Sequence, residues 1–128
     1  MTQTIQQQRA AFALKTIKTL GNTLTPEEQK EFISYSSGLP AMIHMNGLGQ
    51  AMAFCKVKGK DRVSYQQLYQ LVSEWLCKPG QPYAGKANVL EGITQANMAD
   101  YQLAQAEALV LMSWVKKFAK AFLVEEKS

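Results

Sequence analysis

Apolar side chains recur along this chain at helical and not at strand spacing, in blocks separated by Gly, Pro, Ser and Asn. From about residue 3 to 20, Ala10, Ala13, Leu14, Ile17 and Leu20 form one stripe, with Arg9, Lys15 and Lys18 mostly off it, until Gly21 and Asn22 interrupt. Thr25 supplies the next start signal. Its hydroxyl can cap, Pro26 stands where a helix has no N–H to lose, and Glu28 completes a capping box. A short helix is predicted over about 26–34, then a turn at Ser36, Ser37, Gly38 and Leu39, before Pro40 opens another run to about residue 54. There Met42, Met45, Gly49, Met52 and Phe54 roughly keep the helical period, while Ile43, Leu48 and Ala51 widen it into a segment expected to be buried on most sides. Gly47 and Gly49 would each cost about 1 kcal/mol relative to alanine in a helix, so either the helix breaks here or close packing holds it.

A basic connector, residues 57–63, leads to Ser64, which resembles an N-cap with Gln67 as its capping-box partner. Tyr65, Leu68, Tyr69, Leu71, Val72, Trp75 and Leu76 then make a firm amphipathic helix. Pro79, Gly80, Pro82 and Gly85 mark residues 78–85 as a loop, and a short helix is predicted over about 86–96, with Val89, Leu90 and Ile93 turned inward. The clearest helix is the last, about 98–123, where Tyr101, Ala104, Ala108, Leu111, Met112, Val115, Phe118, Ala119 and Phe122 follow the repeat. It would be roughly 39 Å long and serve as the spine of the molecule. Period-two alternation is absent, so the expected fold is all-α: one domain, 1–128, built as a compact bundle of five to six helices with a long C-terminal helix.

Composition adds little to the fold but narrows the function. The 128 residues are 47% apolar, enough for a core without a stapling disulfide or metal. Cys55 and Cys77 lack paired spacing, the first residues are polar, and no apolar run reaches the roughly 18 residues of a membrane span; a reducing cytoplasm is the expected setting. Fourteen basic against ten acidic residues give a formal charge of +4, unevenly spread. Glu27, Glu28 and Glu31 form one acidic group and Glu125 and Glu126 another. Lys56, Lys58, Lys60 and Arg62 form one basic cluster, Lys116, Lys117 and Lys120 a second, and Lys15 and Lys18 an i, i+3 pair. These are the candidate nucleic-acid contacts, though a solvated lysine face reads the same way. Tyr65, Tyr69 and Tyr83 could stack on bases or belong to the core.

Groups for catalysis do not converge. His44 is the single histidine and reads as a partly buried helix residue; Cys55 reads as a small core residue. No metal-ligand spacing is present and no cofactor is expected, while Gly47-Leu48-Gly49 lacks the lysine and serine or threonine of a phosphate-binding loop. Asp100 and Glu107 are too far apart along a helix to act as a pair, and isolated helical carboxylates usually face solvent.

Residues 40–54, Pro-Ala-Met-Ile-His-Met-Asn-Gly-Leu-Gly-Gln-Ala-Met-Ala-Phe, closely resemble the signature segment of the small subunit of the type III-B CRISPR effector, the RAMP module or Cmr complex. Residues 68–76 look like its following helix and residues 107–121 like its C-terminal helix, in the same order. That resemblance implies a helical bundle without enzymatic activity, antiviral in setting, stacked head to tail with copies of itself in the inner filament beside the larger subunits and contacting guide RNA and target RNA. Target cleavage would belong to the larger subunits. Asn46 and Gln50, with Gly47 and Gly49, match the family signature, as fasteners of a helix terminus or as a subunit contact. Where the resemblance leads one to expect a basic side chain early in the last helix, this chain has Gln102, Gln105 and Ala106. The alternative to RNA contact is a protein-only assembly module whose basic surface meets an acidic neighbour.

Overall fold

The computed structural model describes residues 2–124; Glu125 and Glu126 lie outside them. Among the described residues there are five helices: α1 Ile5–Thr23, α2 Pro26–Lys58, α3 Val63–Leu76, α4 Val89–Gln95 and α5 Met98–Phe122. They enclose one core, and the 25-residue α5 runs its length.

Start signals explain most of the boundaries. Thr25 and Glu28 form the capping box expected of them, with Pro26 in the first turn. A second capping box, Thr4 with Gln7, opens α1. This helix continues through Gly21 and Asn22 and ends at Leu24, whose N–H still reaches the Leu20 carbonyl at 2.9 Å. Asn88 caps α4, which therefore begins at Val89 and not at residue 86, and the Val89 N–H donates to Ser73 Oγ at 2.9 Å. Ser64 is not a cap. Arg62 holds that position without a side-chain capping bond, while Ser64 is fully buried and donates 2.6 Å to the Glu28 carbonyl, tying α3 to the first turn of α2.

The turn predicted at 36–39 does not form. Phe32, Ser36, Leu39 and Ile43 make one buried stripe at helical spacing, and burying it outweighs the local preference of Ser, Gly and a helix-interior Pro40. The helix breaks instead at Gly47, whose φ of 86° and ψ of 159° belong to a region open essentially to glycine alone. Its two arms are not collinear. Tyr35 and Phe54 would stand roughly 28 Å apart on a straight helix. Yet the Tyr35 ring stacks on Tyr65 at 3.7 Å, and the Phe54 ring meets the same ring edge-on at 5.6 Å. Residues 48–58 therefore fold back along the first arm.

Two poles follow from this path. At one, buried Gln29 ties three helix ends together, donating to the Leu24 carbonyl at 2.8 Å and accepting from the Val124 N–H at 3.0 Å. At the other lie the Gly47 break and the start of α5. Since Arg9 pairs with Glu107 and Gly21 lies against Leu123, α1 and α5 run parallel between the poles. Of the exposed large apolar side chains, Ile5, Met45, Met98 and Leu103 lie toward one pole and Phe122 and Val124 at the other, with Phe54, Val57 and Val110 between them. Met45 and Phe122, both placed on apolar stripes by periodicity, are thus surface residues. The segment around Met45, expected to be buried on most sides, exposes a corner instead.

Candidate functional site

Three places concentrate polar and charged groups. The first is the corner at Gly47. Chain reversal frees the first N–H groups of the returning arm, and α5 satisfies them: the Leu48 N–H donates to Gln105 Oε1 at 3.0 Å and the Gly49 N–H to the Tyr101 hydroxyl at 3.1 Å. A Cβ at position 47 would meet that hydroxyl at 3.0 Å. Fastening thus falls to Tyr101 and Gln105, while Asn46 and Gln50 are exposed and line an open groove with Met42 and Phe54. Gln105, one of the neutral residues early in α5, caps the returning arm with its side-chain carbonyl. Nothing local marks either residue; only the position of α5 against the break reveals them.

The second place joins α1, α3 and α5. Glu107 accepts from Arg9 Nη2 at 2.8 Å and from Trp75 Nε1 at 2.9 Å, and the side chains of Arg9 and Glu107 are only 14% and 12% exposed. The expectation that Glu107 faces solvent is therefore corrected: pairing is what permits its burial. Burial alone would raise its carboxyl, but the hydrogen bonds from Arg9 and Trp75 and the charge of Arg9 prevail and hold it below the ordinary carboxylate range.

The third is the basic surface. Lys56 and Lys60 share a groove of roughly 350 Å³ with Cys55, Gly59, Gln66, Tyr69 and Gln70, and the Lys56 ammonium lies 5.0 Å over the Tyr69 ring. Lys58 lies 5.7 Å over Phe54. Arg62 is drawn out of the cluster by Glu31, at 2.7 Å, so the acidic and basic groups of the sequence partly neutralise each other. Lys15 lines a different groove, between α1 and α3, which also carries Glu74 and Lys78; Lys18 is exposed on α1. On α5, Lys117 and Lys120 are exposed and Lys116 is half-buried. The structure thus unites Lys56 with Lys60 in one groove and places Lys15 in another.

Other candidates resolve toward structure. His44 is exposed, contrary to the partly buried position expected, and Cys55 is fully buried, its thiol pushed up to about 12 by burial. Tyr83 is a core residue whose hydroxyl burial pushes up to about 12, and its ring fills the space a Cβ on Gly92 would need, 2.4 Å from Cγ. Tyr69 is buried too, whereas Tyr65 is half-buried in its ring cluster. Among the described residues no group of His, Cys, Asp and Glu is placed to hold a metal ion, and no helix is long and apolar enough to cross a membrane. Compared with known protein families, residues 5–122 match the family model described as CRISPR-associated protein (Cas_Cmr5).

Proposed function

Since the chain belongs to the Cas_Cmr5 family, a small non-catalytic structural subunit of the type III-B CRISPR Cmr effector complex, we propose that in the cytoplasm its copies stack head to tail in the inner filament, beside larger subunits, with basic flanks toward guide and target RNA. The observation that carries the stacking is the bipolar distribution of exposed apolar side chains. Met45 is 82% and Met98 76% exposed near one pole, and Phe122 55% and Val124 50% at the other. Single exposed apolar residues are ordinary on a surface. Groups of them at opposite ends suit a heterologous contact, in which one pole of a copy meets the opposite pole of the next and the array extends. The poles are held for that role by the Gln29 junction and by the Tyr101 and Gln105 bonds.

A charge at either pole tests this. Met45→Asp or Phe122→Asp should leave the helical content of the chain intact and lower the number of its copies in the purified complex, read by native mass spectrometry. Wild-type copy number in both variants would reject stacking through the poles.

A further inference from the structure

Lys56 and Lys60 share a concave site whose lining holds no carboxylate. Lys56 lies on the last turn of the returning arm of α2 and Lys60 in the turn that follows it, across the groove from Gln66 and Gln70 on the exposed edge of α3. Asp61, one residue on, does not line the groove. By contrast, the groove holding Lys15 contains Glu74, and Arg62 is bound to Glu31. The walls are firm. A Cβ on Gly59 would lie 3.0 Å from both Gln66 Cα and the Cys55 carbonyl, so α2 and α3 meet backbone to backbone at its end. Tyr69 supplies a ring beneath Lys56.

We infer that this groove seats a stretch of RNA phosphodiester backbone, Lys56 and Lys60 supplying the charge and the Gln66 and Gln70 amides further hydrogen-bond donors. The inference rests on the filament reading above. Lysines act as point charges toward phosphate oxygens, and amides add donors without adding charge. The arginine of this region already holds a carboxylate. Such contacts are blind to base sequence and sensitive to salt, as suits a subunit of a complex in which the guide provides pairing specificity.

The test uses the assembled complex with labelled target RNA. Lys56→Ala with Lys60→Ala should make the log-affinity against log-salt slope shallower by about 1.4 to 1.8 for each copy in contact, with copy number unchanged. In a second complex, benzoylphenylalanine in place of Gln70 should yield an RNA adduct on irradiation. An unchanged slope together with no RNA adduct overturns the inference. So does a loss of copies with the slope per copy unchanged, or an adduct to a protein subunit alone, either of which assigns the groove to an acidic protein neighbour. Failure of the filament reading looks different: the pole variants keep full copy number while the groove variants are scored on their own.

Discussion

Three nitrogen donors from two other helices, Arg9 Nε and Nη2 and Trp75 Nε1, converge on the Glu107 carboxylate, and the pairing gives the molecule a definite acid sensitivity. A carboxyl held below its ordinary value contributes stability that is complete above the unfolded value and is lost as pH falls through the folded one. Glu107→Gln removes this contribution and leaves Arg9 without its counter-ion, so it should destabilise the chain at neutral pH by about 1–3 kcal/mol. Below the folded value of the carboxyl the gap should shrink, because the wild-type group is then neutral as well. Urea midpoints of both proteins between about pH 7 and 2.5 check this. A gap constant across that range would mean that the charge of Glu107 does not act. Periodicity alone could not reveal the network, since Arg9, Trp75 and Glu107 are far apart in the chain and only the packing of α1, α3 and α5 brings them together.

Helix boundaries divide sharply into legible and illegible ones. At Thr25 every contributor to the start lies within four residues, so the capping box is readable from the sequence alone. At Gly47 the local pattern reveals only that something must give. Gly47 and Gly49 look equivalent in sequence, yet Gly47 has its φ at 86° and Tyr101 in the way, while a Cβ on Gly49 would make ordinary contacts, 3.4 Å from Ile93 Cγ2 and 3.7 Å from the Tyr101 hydroxyl. Gly47→Ala should therefore cost about 1–3 kcal/mol, whereas Gly49→Ala should be neutral or gain up to about 1 kcal/mol in helix propensity. Thermal unfolding of the two variants decides the matter, and equal losses would contradict the observed corner. The same comparison explains the false turn at 36–39: Ser, Gly and Pro favour it locally, and the buried stripe through Ser36 and Leu39 overrides them. Ser64 fails as a cap for a related reason, its hydroxyl being taken by a carbonyl of another helix.

As a whole, the molecule is a bundle of parallel and antiparallel helices that leaves large apolar side chains exposed toward both ends. Its all-helical class and long last helix are legible because they depend on repeats within each segment. The poles are not, because they arise from the α2 fold-back and from contacts between helix ends far apart in the chain, such as the Gln29 junction. Grouping of the lysines is equally hidden: Arg62 is lost to Glu31, while Lys56 and Lys60 are joined by a groove whose far wall is α3. The central claim, that one pole meets the opposite pole of the next copy, is tested by mixing. A chain carrying Met45→Asp and Met98→Asp keeps only one working pole, and a chain carrying Phe122→Asp and Val124→Asp keeps only the other. In sedimentation at concentrations where the unaltered chain forms longer species, each variant alone should remain a monomer, and an equimolar mixture should stop at the dimer, one intact junction per pair. Dimers of either variant alone, or a mixture that stays monomeric while the unaltered chain assembles, would contradict the head-to-tail account.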